Sequence, residues 1–384
     1  MTSGGRQLSR TVVMMALAVT VLIAGWWSPL SGAASETVRP TAGAMQIDPG
    51  MTAGAAIAVD LTSGVELYGL NADTPLPPAS TMKIVTALVA KEILPLDQVV
   101  EINAADLLDP AEFSVMYLQA GDVVTVSELL YGLLMQSGGD AALALARASG
   151  YALDPSTTDP VGRFVAEMNA YAARIGMTNS RFSNPVGIDD PANMYSSPRE
   201  LVRATRVLLN DRLLANIVAT VSATVEVDGP AARVVELRSS NQLLERGDVF
   251  GIKTGTEIVA GQCLITGFWR GDNQIITVVL GSADRYGDTL AIMEQVDATY
   301  RWLALGIDTV SQGASDAVAA QGLTFMTRRT VLMTVPQAEE ITWELQPETD
   351  PRTTSEGVVV FRSGQREVAR LPVYSSNSVT APPG

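Results

Sequence analysis

The sequence predicts an α+β fold, a sheet with helices packed beside it, followed by a small all-β domain. Three observations carry this. Strand-like runs occur near residues 55–68 and again at 263–280, segments of helical periodicity crowd between them, and only short β-rich runs occur beyond residue 323.

In chain order, residues 55–61 and 65–68 read as two strands joined through Thr62-Ser63-Gly64, a turn composition, so a hairpin is expected. Residues 75–79 are proline-rich and extended. They lead into a helix with Ile84, Val85, Leu88 and Val89 on one face and Ser80 in its first turn. Thr125-Val126-Ser127-Glu128 has the form of a capping box ahead of Leu129, Leu130, Leu133 and Leu134, and Ser137-Gly138-Gly139 should stop that helix. Asp140 is placed to cap the alanine-rich helix that follows, and Ser197-Pro198-Arg199-Glu200 caps another running to Leu209. Strands are expected at 263–269 and 274–280 around the turn Arg270-Gly271-Asp272-Asn273, then a last helix over 289–305. Residues 306–322 read as a linker. The runs 330–335, 357–361 and 368–373 read as strands of a small domain over 323–379, and 380–384 as a tail.

At the N-terminus Arg6 and Arg10 precede an apolar stretch over 11–27, then Pro29 and the small residues Ser31-Gly32-Ala33-Ala34. Residues 1–34 are therefore expected to be a signal peptide or an N-terminal membrane segment, and 35–50 a linker, which places the protein outside the cytoplasm, in the periplasm or cell-wall space. The proline-rich C-terminus offers no amphipathic anchor.

Composition narrows the chemistry. A net charge of -15 argues against nucleic acid as a partner, which demands basic patches. The single cysteine, Cys263, lies in an apolar run and reads as a buried structural thiol. The chain has no histidine, which removes Ser-His-Asp triads, Cys-His pairs and His-ligated zinc, so a hydrolytic base must be Lys, a carboxylate or Tyr. Asp189-Asp190, followed by Pro191, reads as a solvated turn rather than a metal pair, and no metal or other cofactor is expected. Arg238 and Arg246 are basic residues that could reach a carboxylate.

Ser80-Thr81-Met82-Lys83 is a Ser-x-x-Lys motif whose spacing puts both side chains on one helix face. An ammonium is no base, so burial and neighbouring cations must lower the lysine's proton affinity before it can take the serine proton. Taken alone the motif reads as an N-cap serine and a solvated helix lysine. Lys253-Thr254-Gly255, in strand-like sequence, is the companion. Such an edge can hold a carboxylate, and Gly255 admits a substrate close to the backbone.

The combination resembles the penicillin-binding proteins. The stretches Leu76-Pro77-Pro78-Ala79-Ser80-Thr81-Met82-Lys83, Gly176-Met177-Thr178-Asn179, Phe182-Ser183-Asn184-Pro185 and Gly251-Ile252-Lys253-Thr254-Gly255 are similar to the low-molecular-mass D-alanyl-D-alanine carboxypeptidases. The resemblance covers about residues 51–305. It implies a β-lactamase/transpeptidase-like domain, with an antiparallel sheet flanked by helices plus a helical subdomain. It implies that Ser80 attacks the penultimate D-alanine carbonyl of a peptidoglycan stem peptide, with Lys83 as base, Ser137 as proton shuttle, and acylation by β-lactam antibiotics. The backbone N–H groups of Ser80 and Thr256 would form the oxyanion hole, and Lys253 and Thr254 would engage the substrate carboxylate.

Two departures stand out: Gly139 where the family's Ser-x-Asn has asparagine, and the missing histidines, one position of which is Val186. The first makes a catalytically weak or silent scaffold an alternative. A β-lactamase-like hydrolase is another, although no Glu-x-x-Leu-Asn pentapeptide is present. A Ser-Lys protease acting on ordinary L-peptides is a third.

Overall fold

The computed structural model describes residues 50–306, 312–350 and 352–377. The expected export segment and the terminal tail lie outside them. Among the described residues no helix is long and apolar enough to cross a membrane.

Five strands form the central sheet: β1 (Ala55–Asp60), β2 (Glu66–Leu70), β3 (Val249–Glu257), β4 (Gly261–Arg270) and β5 (Asn273–Ser282), in the order β2-β1-β5-β4-β3. Every pairing is antiparallel. Successive strand residues point to opposite faces, and here both faces are covered. Ile57, Ile265, Ile276 and Val278 join the core beneath the helices, while Ala56, Leu264, Ile275 and Val279 join a second core. The β1–β2 hairpin closes as the turn residues require, with Asp60 Oδ1 accepting from Thr62 N at 2.8 Å.

The helices are α1 (Lys83–Ile93), α2 (Val126–Met135), α3 (Gly139–Leu153), α4 (Pro160–Arg174) and α5 (Pro198–Asn210). Thr125 and Glu128 form the expected reciprocal box at the start of α2, and Ser197 caps α5. Asp140 differs from expectation. The cap of α3 is Gly138, and Asp140 lies one residue inside the helix, 1% exposed. Its carboxylate accepts from Met116 N, Leu118 N and Ala141 N, tying the 114–118 loop to α3.

The last helix is also shorter than the periodicity suggested. The helix α6 (Arg285–Thr299) stops where Tyr300–Gly306 begins a strand paired with Arg328–Thr334. The aromatic Tyr300 and Trp302 on that strand, and Thr330, Val331 and Thr334 on its partner, favour strand pairing over the weak helical pattern. The stretch expected as linker contains the helix Gln312–Ala320. Beyond it, Leu323–Phe325, Arg366–Ser375, Gly357–Ser363 and Ile341–Pro347 form a four-stranded antiparallel sheet in that order, enclosing Val359, Phe361, Leu371 and Val373.

Where α3 crosses α4, a Cβ on Gly150 would lie 1.9 Å from the carbonyl oxygen of Pro160. Backbone cannot yield as a side-chain tip can, so Gly150→Ala should force the two helices apart at a cost of about 2 kcal/mol or more. A melting curve should show Tm lowered by about 5 °C.

Candidate active site

Ser80 sits in a single 3₁₀ turn, Ala79–Met82, immediately before α1 rather than inside it. Residues three apart eclipse one another in that geometry, so Ser80 and Lys83 stack. Lys83 Nζ donates to Ser80 Oγ at 2.8 Å, to the carbonyl oxygen of Val186 at 2.6 Å and to Ser137 Oγ at 3.4 Å. Lys83 is 1% exposed and Ser137 is 5% exposed. Ala79 and Ser137 both have left-handed backbones, with φ of 47° and 63°, sparsely populated conformations for these residue types that accumulate at functional sites.

Val186 is held in place by Asn184. Its Oδ1 accepts from the backbone N–H groups of Val186, Gly187 and Ile188 at 3.1, 2.8 and 3.2 Å, and its Nδ2 donates to Ile188 O at 3.0 Å. The resulting tight loop turns Val186 O onto the lysine. Gly187 is required there: φ is 88°, and a Cβ would come within 2.4 Å of Ala79 O.

On the opposite wall, β3 carries Lys253 and Thr254, 1% and 4% exposed. Lys253 Nζ donates to Thr254 O at 2.9 Å, and Thr254 Oγ1 pairs with Ser240 Oγ at 2.5 Å. A Cβ on Gly255 would lie 2.9 Å from both Ser80 N and Thr81 N, so glycine is what lets β3 press against the serine turn. Thr256 is exposed beside it. A cleft of about 170 Å³ brings together Ser80, Lys83, Ser137, Thr254, Gly255 and Thr256. Lys253 lies behind it, in the strand.

Burial drives the electrostatics. It pulls the Lys83 ammonium down to about 7, against the charges of Glu257 and Asp140, which favour protonation. Lys253 is pushed well below the ordinary lysine range by burial first, then by the charges of Lys83 and Arg285. Desolvation, rather than a cationic neighbour, is thus what favours the neutral amine of Lys83.

The sequence left several participants unread. Arg285, the first residue of α6, lines the cleft and donates through one NH group to Gly255 O and Thr256 Oγ1, both at 2.8 Å, and its Nε is buried without a partner. No local pattern announces it. The loop after β5 alone brings it there. Arg238 and Arg246 instead form exposed pairs with Glu245 and Asp248. Asp189 is not a free turn residue: its Oδ2 accepts from Val259 N at 2.5 Å in the β3–β4 turn. Among the described residues no group of acidic, histidine or cysteine side chains could hold a metal. Cys263 is fully buried, its thiol pushed up to about 11 by burial.

At Gly139, where the resemblance leads to an expected asparagine, the space for a side chain is partly taken. A Cβ there would lie 2.5 Å from Leu108 Cδ1 and 3.2 Å from Val186 Cγ1. The lysine's polar partners are Ser80, Ser137 and the Val186 carbonyl.

Residues 42–284 match the peptidase family described as D-alanyl-D-alanine carboxypeptidase. The chain belongs to that family. It is 33% identical over 271 residues to a D-alanyl-D-alanine carboxypeptidase of Streptomyces sp. (strain K15), covering 68% of this chain and 92% of the relative. It is 32% identical to the carboxypeptidase DacC of Escherichia coli (strain K12), covering 67% of this chain and 61% of that one. The crystal structure of the Streptomyces K15 DD-transpeptidase superposes with a TM-score of 0.60 at 33% identity, over 65% of this chain and 98% of that chain. Penicillin-binding protein 6B of E. coli, 21% identical, shares the fold with a TM-score of 0.63 over 88% of this chain. The antiparallel sheet flanked by helices expected from the sequence is thus the fold of this family.

Since only the neutral amine can accept the serine proton, acylation of Ser80 should rise as pH increases through about 7 and level off above it. Stopped-flow acylation by benzylpenicillin between pH 5 and 9 measures that limb.

Proposed function

We propose that this chain is a serine-type D-alanyl-D-alanine carboxypeptidase that trims peptidoglycan stem peptides outside the cytoplasm and is acylated by β-lactams. The observation that carries this reading is the 2.8 Å contact between Ser80 Oγ and the buried amine of Lys83, in a cleft walled by Thr254, Gly255 and Thr256.

In this reading the neutral form of Lys83, which burial makes accessible near pH 7, takes the Ser80 proton as Oγ attacks the penultimate D-alanine carbonyl. Charge developing on the carbonyl oxygen is met by the Ser80 and Thr256 backbone N–H groups. The proton returns through Ser137 to the amine of the departing D-alanine, and the C–N bond breaks. Water then attacks the ester and frees Ser80. Thr254 and Arg285 hold the substrate's terminal carboxylate, with Lys253 behind them in the strand; Arg285 does so with the guanidinium geometry suited to that anion. No cofactor takes part. The N-terminal apolar segment serves export or membrane attachment, and the C-terminal β-rich residues, whose core also takes in Leu303, Leu305 and Val318, act as a module joined to the carboxypeptidase domain.

Intact-mass spectrometry after benzylpenicillin treatment should show one penicilloyl adduct on the native protein and none on Ser80→Ala, with D-alanine released from a pentapeptide. An adduct without D-alanine release would favour the silent scaffold, and rapid release of hydrolysed drug a β-lactamase. Lys83→Arg, which is charged at every accessible pH, should slow acylation by about 10²- to 10⁴-fold. Arg285→Ala should lower kcat/KM on the pentapeptide by about 30-fold or more through loss of a charge-assisted carboxylate contact.

A further inference from the structure

Thr254 and Arg285, the two groups that meet the substrate carboxylate in the reading above, come from different elements, and one side chain outside the cleft touches the supports of both. Tyr286 is the second residue of α6, half-buried with its ring packed against the second core. The Arg285 guanidinium lies over that ring, 5.1 Å from its centre, a cation–π distance. Arg285 makes its bonds to Gly255 O and Thr256 Oγ1 through one nitrogen, and its Nε is buried without a partner. Hydrogen bonding alone thus leaves the fork free to turn about that nitrogen, and the ring face opposes the turn.

At its other end the Tyr286 hydroxyl donates to Ser240 O at 3.1 Å and accepts from Gln242 N at 3.3 Å. It grips the chain on both sides of Asn241, which is 4% exposed and donates through Nδ2 to Gly251 O at 2.8 Å. Ser240 N donates to Met135 O at 2.9 Å. Ser240 is therefore fixed from α2, β3 and α6 together, and its Oγ stands 2.5 Å from Thr254 Oγ1 inside the cleft. A hydroxyl has one proton and two acceptor sites. With Ser240 as donor in this pair, the Thr254 proton is left for an incoming anion. With Ser240 as acceptor, that proton is consumed and an oxygen lone pair faces the anion instead. An arriving carboxylate selects the first arrangement, which requires Ser240 to be held in place. We propose that Tyr286 is a positioning residue for the carboxylate end of the Ser80 cleft, holding Arg285 through its ring and the Ser240–Thr254 pair through its hydroxyl, so that both anion-binding groups are aligned before substrate arrives. This rests on the carboxypeptidase reading of the same cleft.

The test pairs each anion with an uncharged counterpart. Nα,Nε-Diacetyl-L-lysyl-D-alanyl-D-alanine is compared with its C-terminal amide through kcat and KM for hydrolysis, and benzylpenicillin with its methyl ester through the second-order rate of Ser80 acylation. Tyr286→Phe keeps the ring and removes one hydroxyl. It should raise KM for the acid peptide about fivefold and slow acylation by benzylpenicillin by about the same factor, with kcat and the amide and ester rates within about twofold of native. Tyr286→Leu removes the ring as well and should enlarge the penalty on the acids to about 20-fold. Ser240→Ala should cost about as much as Tyr286→Phe, and the double variant no more than the larger single loss, because both interrupt one chain of contacts. Melting curves establish that each variant is folded. Losses shared equally by the acids and their uncharged counterparts, a double variant that shows the product of the single losses, or a native protein that does not distinguish acid from amide or ester overturns the role of Tyr286. Acylation that follows the expected pattern while the peptide stays intact upholds that role and refutes the carboxypeptidase reading.

Discussion

A lysine amine that is 1% exposed yet still able to hydrogen-bond is the constraint around which this domain is arranged. A charged ammonium in that position would carry a large desolvation penalty, and the protein meets it by favouring the neutral form and surrounding the amine with oxygen acceptors. Each acceptor comes from a different part of the chain: Ser80 from the 3₁₀ turn, Ser137 from the junction of α2 and α3, and Val186 O from the loop built by Asn184. Displacing any of the three would leave a buried polar group unpaired, so the placement of the helices around α1 and the chemistry of the cleft are set by the same contacts.

Close backbone approach is what makes the arrangement fit. Gly255 brings β3 against Ser80, and Gly187 brings the 184–188 loop against Ala79, each at a distance that a side chain would prevent. Asp140 works one layer further out, fixing the 114–118 loop through backbone N–H groups. Gly139 fits this setting: Leu108 and Val186 crowd the space a side chain would need, and the lysine has a backbone carbonyl among its partners.

Much of this was legible beforehand where the signal is local. The capping box at Thr125 and Glu128, the cap at Ser197 and the turn after Asp60 depend on neighbours within a few residues, and they form as the sequence indicates. Asp140 was misread because its partners, Met116 and Leu118, are distant in sequence, so a short-range cap seemed the natural use for it. The boundary between α6 and the strand beginning at Tyr300 was missed for a related reason. A weak helical pattern gave way to strand pairing with Arg328–Thr334, residues still to come in the chain.

By itself the sequence determined the reaction type. The absence of histidine excluded the common bases, and Ser80, Lys83 and the Lys253-Thr254-Gly255 strand are the motifs that carry the family resemblance, each legible because residues a few positions apart are held together by backbone geometry. Only the tertiary structure decided how far burial lowers the Lys83 proton affinity, that Val186 O accepts from its amine, and that Arg285 and Glu257 line the cleft with Ser80. Those properties depend on desolvation and on contacts between segments 30 to 103 residues apart, and neither is written in any local stretch of the chain.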